Sequence, residues 1–310
     1  MCEVLYTDNV VEGCDYVQHV ASPFPLKADE DTIRTAIDGT LNVLKAAAAS
    51  STVKKVVLTS SIVAIMEGND MTKTFTENDW TNLNDKKSYY FHSAMHFVAE
   101  DIVYDIDNYP RSKTLAELAA WDFVKNNTGT RFSLTTIHPS LIVGPLLIDE
   151  QGTSVHIIRR FLNAEMLALP HVMFPCVDVR DVAKCHLKAM RRPNTDGERI
   201  IATATPALWM KDIARGLNAE FKSQGYTIPT ISAPDFTVWT ASLFDFEAKL
   251  LLGHLSKDLK LDNSKAKRLL GIEFADPLDA IVEMAYAMIE KGMAKKTKKY
   301  SGLPARFSNR

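Results

Sequence analysis

The sequence has few of the features that mark secreted, membrane-spanning or nucleic-acid-binding proteins. Its four cysteines form no CxxC pair, and no apolar run reaches the roughly 18 residues that a membrane helix needs. Lys and Arg total 36 against 38 Asp and Glu, so the net charge of -2 is too balanced for a nucleic-acid-binding surface over the whole chain. These absences predict a cytoplasmic protein with free thiols, no membrane segment and no nucleic-acid partner.

A glycine-rich phosphate-binding loop is also missing. In dinucleotide-binding folds this loop has glycines three residues apart, so that the backbone turns tightly and a helix N-terminus faces the diphosphate. None of the 13 glycines of this chain lies three residues from another. The sequence therefore lacks the strongest local signal of a dinucleotide-binding protein.

The sequence does contain an alternation of short Val- and Ile-rich runs with helical patterns. This alternation is typical of βαβ units around a parallel sheet that is buried on both faces. Pro23 and Pro139 follow two of the runs, where proline ends a strand because it cannot donate to the ladder. We therefore predict an α/β fold. The predicted strands cover residues 15–21, 53–61, 131–138 and 198–203, and the predicted helices cover residues 31–49, 109–124, 155–164, 209–221 and 277–289. Residues 177–190 are predicted to begin as a strand or turn and to continue as a helix.

A tyrosine and a lysine four residues apart are the strongest candidates for chemistry. Tyr109 and Lys113 open a predicted helix, where this spacing places both side chains on one face, one turn apart. A nearby ammonium favours the phenolate and brings the pKa of a phenol, about 10 in water, toward neutrality, so that the phenol can give and take a proton. Ser61 ends a predicted parallel strand, where it is placed to hold a substrate oxygen.

Neighbouring motifs strengthen this assignment, since a YxxxK pattern alone occurs by chance in many chains. Here the pattern lies between a strand that ends in TSS and a strand that runs into HPSLIVGP. In this order the motifs resemble the extended short-chain dehydrogenase/reductases of the NAD-dependent epimerase/dehydratase superfamily, and in particular the dihydroflavonol reductase and cinnamoyl-CoA reductase-like branch. The segments that carry the resemblance are GCDYVQHVASP (13–23), GTLNVLKAA (39–47), VKKVVLTSS (53–61), YPRSKTLAELAAW (109–121), IHPSLIVGP (137–145) and VDVRDVA (177–183).

The resemblance implies a Rossmann-like, doubly wound parallel sheet and a catalytic trio. Tyr109 would be the general acid, Ser61 would orient the carbonyl oxygen, and Lys113 would lower the tyrosine pKa and bind the cofactor ribose. The cofactor would be NADP or NAD, with NADP slightly favoured. The implied cofactor-binding residues are Val20, Ala21, Ser22, Tyr109, Lys113, Pro139, Ser140, Leu141 and Ile142.

By this resemblance, the chain is expected to be an NAD(P)-dependent oxidoreductase that acts on a CH-OH or carbonyl group. Its partner would be a small-molecule aldehyde, ketone, alcohol or dihydroflavonol-like compound. Two alternatives stay open. One is a catalytically silent relative that acts by association with a longer subunit, because the glycine loop is missing. The other is a sugar-nucleotide epimerase or a 3β-hydroxysteroid dehydrogenase-like enzyme.

The resemblance also implies an N-terminally incomplete sheet, because family members have the glycine loop on a strand that would precede residue 13. We expect residues 1–150 to form a partial NAD(P)-binding domain, residues 151–290 a mixed substrate-binding part with some return to the sheet, and residues 291–310 a basic tail. The strand at 15–21 would then lie at an exposed sheet edge, where self-association through unpaired backbone groups is expected.

Two other groups of residues are weaker candidates for function. His92, His96 and Glu100 share a predicted helix face, but they do not form an HExxH motif and no further ligand is identifiable, so we predict no metal site. Ser61 and His138 could belong to a hydrolase, but the chain has no GxSxG motif.

We predict that the chain binds NAD(P)H far more weakly than relatives that have the glycine loop, because its sequence offers residues mainly for the nicotinamide side of the cofactor. Titration of the protein fluorescence with NADPH measures the dissociation constant. A micromolar or tighter value would contradict the prediction.

Overall fold

The architecture follows from a computed structural model, which describes residues 10–23, 29–83, 108–149, 152–166, 168–241, 243 and 254–307. Strands and helices alternate, and the predicted α/β fold with a parallel sheet is confirmed. The strands are β1 (Tyr16–His19), β2 (Lys55–Thr59), β3 (Thr74–Phe75), β4 (Ser133–Pro139), β5 (Leu141–Val143), β6 (Met173–Phe174), β7 (Cys176–Asp178), β8 (Arg199–Ala202), β9 (Leu208–Trp209) and β10 (Lys260–Leu261). The helices are α1 (Glu30–Ala49), α2 (Val63–Met66), α3 (Asn108–Asn126), α4 (Thr153–Leu162), α5 (Val179–Arg191), α6 (Met210–Phe221), α7 (Asp235–Ala241), α8 (Ser264–Leu270) and α9 (Pro277–Glu290), with 3-10 turns at Pro193–Thr195 and Ala305–Phe307.

The main sheet has the strand order β1-β2-β4-β8, and all three neighbouring pairs are parallel. Lys55 of β2 lies opposite both Tyr16 of β1 and Ser133 of β4, so these strands start level with one another. Among the described strands β1 is an edge strand, and Tyr16 and the following Val20 are 41% and 60% exposed. Self-association through this edge stays a prediction.

Both faces of this sheet are covered by helices. Successive side chains of a strand point to opposite faces, and Val56 and Val57 of β2 accordingly belong to two different cores. On the Val56 face, Leu44 of α1 and Ala120 of α3 complete the core. On the Val57 face, helices α5 and α8 supply the covering residues. Burial on both faces explains why the strands read as continuous apolar runs.

A third and larger core belongs to the C-terminal part of the chain. It joins α4, α6 and α9 around fully buried aromatic residues such as Phe161 and Phe221. Ile62 and Met66 of the segment after β2 pack into this same core. The segment that follows β2 is therefore anchored in the core of the C-terminal helices. The domain boundaries expected at residues 150 and 290 remain predictions.

The segment expected to be a basic tail packs against the rest of the protein. Lys291 pairs with Asp149 at 2.9 Å, and Arg306 pairs with Glu220. Phe307 is only 5% exposed and contributes to the C-terminal core. Within residues 291–307, several of the basic side chains therefore neutralise acids of the protein itself.

Observed element bounds differ from the predicted bounds mainly at the ends. Helix α1 begins at Glu30 because Asp29 caps it, accepting a 2.8 Å hydrogen bond from the backbone of Thr32, whose hydroxyl bonds back to the cap. Strand β4 includes Pro139, whose carbonyl accepts from the backbone of Ile62 although proline cannot donate. The two- and three-residue strands were not predicted, because they are too short to show a periodicity.

The structure also bears on the membrane and metal expectations. Within the described ranges, no helix is long and apolar enough to cross a bilayer, and no group of three His, Cys, Asp or Glu side chains could hold a metal. His92, His96 and Glu100 lie outside the described residues. Cys14, Cys176 and Cys185 are free thiols.

Truncation of Leu44 tests the core beneath the sheet. Leu44 is fully buried between α1 and the sheet, so Leu44→Ala is expected to lower the free energy of unfolding by about 2–5 kcal/mol. Leu118→Ala is the matched control, because Leu118 lies on α3 and is 37% exposed. Urea unfolding measures both, and equal losses would contradict the assignment of this core.

Candidate active site

The predicted site residues come from four segments that meet at one edge of the sheet. Residues 20–22 follow β1, Ser61 follows β2, and residues 139–142 span the end of β4 and most of β5. Because β1, β2 and β4 are adjacent and parallel, their carboxyl ends lie side by side. Tyr109 and Lys113 occupy the first turns of α3, which covers the sheet at this edge.

A cavity of about 330 Å³ lies where these segments meet. Ser61, Tyr109 and Lys113 all line this cavity, so the structure brings the predicted trio together. Ala21 instead lines an adjacent, larger cavity that shares Val20 with the first. The predicted residues in the wall are Val20, Ser22, Ser61, Tyr109, Lys113, Pro139, Ser140, Leu141 and Ile142, and those not predicted are Thr59, Ser60, Ile62, Thr153, Ser154, Phe174 and Pro175.

The residues that were missed come mostly from the C-terminal part of the chain. Thr153 and Ser154 open α4, Phe174 ends the two-residue strand β6, and Pro175 lies between β6 and the three-residue strand β7. No local pattern distinguishes these residues from ordinary surface or core residues. They reach the cavity because the segment that follows β2 packs into the C-terminal core.

The expectation that Lys113 lowers the tyrosine pKa is wrong for this structure. Burial raises the pKa of Tyr109 well above its usual value, and the hydrogen bond with the Ser61 hydroxyl only partly opposes that effect. The Lys113 amine lies 5.7 Å from the centroid of the Tyr109 ring. Tyr109 is therefore a protonated phenol at neutral pH, in contact with the serine that was predicted to act beside it.

Lys113 is itself perturbed by the site. Burial lowers its pKa from 10.5 to about 8, because the charged form is poorly solvated there. The charge of Lys113 also reaches His19 at the end of β1, where burial and then this charge lower the pKa to about 4. The His19 imidazole is therefore an uncharged neighbour of Lys113 at neutral pH.

Residues 139–144 are held firmly by hydrogen bonds to the neighbouring strands. The Ser140 backbone donates to the Ala202 carbonyl at 3.2 Å, and the Thr203 hydroxyl donates to the Ser140 hydroxyl at 2.8 Å. Gly144 has a φ of +142°, and a Cβ there would lie 2.8 Å from a methyl of Val179. The turn after β5 therefore requires glycine for two reasons, backbone conformation and space.

The cavity wall suits the nicotinamide side of a dinucleotide. Val20, Leu141 and Ile142 offer apolar surface for a planar ring, while Ser140 and Lys113 offer donors for carbonyl and hydroxyl oxygens. No glycine-rich turn lies among the described residues to bind the diphosphate, in keeping with the glycine spacing of the sequence.

Comparison with known proteins gives concordant matches. The model of the NAD dependent epimerase/dehydratase family matches residues 6–202. The NADPH-dependent methylglyoxal reductase of Saccharomyces cerevisiae is 28% identical over 289 residues, which are 88% of this chain and 76% of that protein. A cinnamoyl-CoA reductase of Medicago truncatula is 36% identical over 197 residues, which are 63% of this chain and 55% of that protein.

Solved structures show the same relationship. The crystal structure of the yeast methylglyoxal/isovaleraldehyde reductase complexed with NADPH superposes with a TM-score of 0.70 at 28% identity. The match covers 90% of this chain and 78% of that chain. The two proteins therefore share the arrangement of the parallel sheet and its covering helices over most of the length described above.

Substitution of Lys113 tests its lowered pKa. A lysine whose pKa is lower in the folded than in the unfolded state destabilises the fold most at pH values below both of these pKa values. The loss of stability becomes smaller as pH rises from about 8, the folded pKa, to 10.5, the ordinary value. We therefore expect the stability of the unmodified protein, relative to Lys113→Met, to rise across this window. Calorimetric melting temperatures of both proteins at several pH values provide the measurement. A difference that is constant across the window would show that Lys113 titrates normally.

Proposed function

The chain belongs to the NAD dependent epimerase/dehydratase family, and we propose that it is an NAD(P)-dependent reductase of small carbonyl compounds. The observation that carries this proposal is the shared cavity, whose wall contains Ser61, Tyr109 and Lys113 together with the loop at 139–142. Relatives that act as reductases of methylglyoxal and cinnamoyl-CoA support the same class of reaction.

Proton transfer is the task assigned to Tyr109. Since burial keeps the phenol protonated near neutral pH, it is ready to donate its proton to a carbonyl oxygen. The Ser61 hydroxyl, already bonded to this phenol, holds the same oxygen and so fixes the distance for the transfer. Donation leaves Tyr109 as a phenolate, which takes up a proton from solvent before the next turnover, and in the reverse direction the same phenolate would accept the proton of the alcohol.

NADP or NAD, with NADP favoured by the yeast relative, would supply the hydride when bound. Val20, Ser22 and residues 139–142 would hold the nicotinamide side, and Lys113 would donate to the ribose. An amine with a pKa of about 8 is mostly protonated at neutral pH, so it can donate there. Binding of an oxygen-rich group beside Lys113 would further favour its charged form.

The substrate is proposed to be a small or medium apolar aldehyde or ketone. Ile62, Leu141, Phe174 and Pro175 form an apolar part of the wall. Such a wall favours hydrocarbon groups next to the reacting carbonyl, because it offers them burial without unpaired polar atoms. Product analysis distinguishes the epimerase alternative, since an epimerase returns its cofactor in the starting redox state.

Replacement of Tyr109 by phenylalanine tests the proposal. Tyr109→Phe removes only the phenolic hydroxyl, and we expect NADPH consumption with a panel of aldehydes to fall by about 10²–10⁴-fold. Tyr16→Phe is the matched control, because Tyr16 lies on the exposed edge strand and outside the cavity. Absorbance of NADPH under saturating aldehyde gives the rates.

Equal rates for Tyr109→Phe and the unmodified protein would contradict the assignment. Absence of turnover in the unmodified protein with every aldehyde would favour the alternative of a catalytically silent relative. A reference rate from a relative with the glycine loop, measured in the same assay, separates a silent protein from an unsuitable panel.

A further inference from the structure

A buried carboxylate lies directly beneath the candidate site. Glu117 is only 1% exposed and lies on α3, four residues after Lys113 and eight after Tyr109. The three side chains therefore follow one face of the helix. An isolated ionised carboxylate in this position would cost several kcal/mol, so its partners have to compensate for the lost water.

Glu117 has partners on both oxygens. Its Oε1 accepts from the Arg199 guanidinium at 2.8 Å and from the Thr136 hydroxyl and the Trp121 indole at 3.2 Å each. Its Oε2 accepts from the Ser60 hydroxyl at 2.6 Å and pairs with Nε2 of His138 at 2.8 Å. One side chain thus ties α3 to β4, to the start of β8 and to the segment that follows β2.

The charge of Glu117 is secured by these contacts. Burial alone raises the pKa of the carboxyl, but the charges and hydrogen bonds of His138 and Arg199 outweigh it and hold the pKa far below its usual range. Arg199 is fixed in turn, because it donates to the carbonyls of Glu77 and Asp79 at 2.7 Å each and stacks on Trp80. The carboxylate is therefore ionised and rigidly placed.

The residues that contact Oε2 of Glu117 are closer in the sequence to the cavity wall than Thr136, which contacts Oε1. Ser60 and His138 contact Oε2 and directly precede Ser61 and Pro139 of the cavity wall, which Ser60 itself also lines. The backbone of Ser60 also donates to the Ile137 carbonyl at 2.8 Å, and the backbone of Ile62 donates to the Pro139 carbonyl at 3.1 Å. Ser61 is thus held between two anchored residues. The Oε1 partner Thr136 lies further from the wall in the sequence.

We propose that Glu117 is a positioning residue for the reaction. Through its Oε2 contact with Ser60 it holds the Ser61 hydroxyl at the Tyr109 phenol, while its own helix carries that phenol. The Glu117 carboxylate thereby fixes the position of both the proton donor, Tyr109, and the Ser61 hydroxyl that orients the substrate oxygen. This inference rests on the proposed reductase function for its kinetic consequence, and its structural part can be measured without turnover.

The test compares two substitutions, each of which removes one hydroxyl that donates a hydrogen bond to the Glu117 carboxylate. Ser60→Ala removes an Oε2 contact, and Thr136→Val removes an Oε1 contact with little change in shape. We expect Ser60→Ala to lower kcat by about tenfold, as the loss of one well-placed hydrogen bond implies, with little change in KM. Thr136→Val is expected to leave kcat within about twofold while it destabilises the fold to a similar extent.

Amide hydrogen exchange supplies the readout that does not depend on activity. The Val63 amide bonds to the Ser61 hydroxyl and the Ile62 amide to Pro139, so both report on the placement of Ser61. In Ser60→Ala we expect both amides to exchange about tenfold faster than in Thr136→Val, when each variant is measured at the same number of degrees below its own melting temperature.

Each outcome decides between the alternatives. Faster exchange together with lower kcat in Ser60→Ala alone supports the proposal. Equal exchange and equal kcat in the two variants would overturn it and leave Glu117 a purely structural anchor. If the unmodified protein shows no turnover, the proposed function fails, and the exchange comparison alone decides whether Glu117 places Ser61. Glu117→Gln, if it folds, should reproduce the Ser60→Ala exchange pattern.

Discussion

Parallel alignment of β1, β2 and β4 is the constraint on which the rest of the structure depends. It brings the carboxyl ends of the three strands to one edge, so residues far apart in the sequence become neighbours. Helices on both faces make the alignment stable, since each strand buries both of its sides. The cavity exists because α3 and the C-terminal core close over this edge.

Burial then sets the chemistry of that edge. The same loss of water raises the pKa of Tyr109, lowers the pKa of Lys113 to about 8 and lowers the pKa of His19 to about 4. Glu117 responds differently, because Arg199 and His138 contact it directly and offset its burial. Within one stretch of helix, the site therefore combines a protonated phenol, an ammonium whose pKa is lowered and a carboxylate that is held in place.

The yeast reductase solved with NADPH has the same fold over 90% of this chain, yet the match covers 78% of that chain. The residues described here can hold the nicotinamide side of such a cofactor, and the sequence has no glycine-rich loop for its diphosphate. Under the proposed function, affinity for the cofactor would depend on the diphosphate contacts and competence for chemistry on Ser61, Tyr109 and Lys113 in the cavity.

The sequence by itself determined the α/β class and the main strands and helices, and it predicted the grouping of Ser61, Tyr109 and Lys113, because these features depend on local periodicity, four-residue helical spacing and motif order. Only the tertiary structure decided which residues complete the cavity, such as Thr153 and Phe174, and how Glu117 joins β4, β8 and the segment after β2 to α3. It also decided that burial, rather than the lysine charge, dominates the pKa of Tyr109. Desolvation depends on everything packed around a group, and no local pattern of residues contains that information.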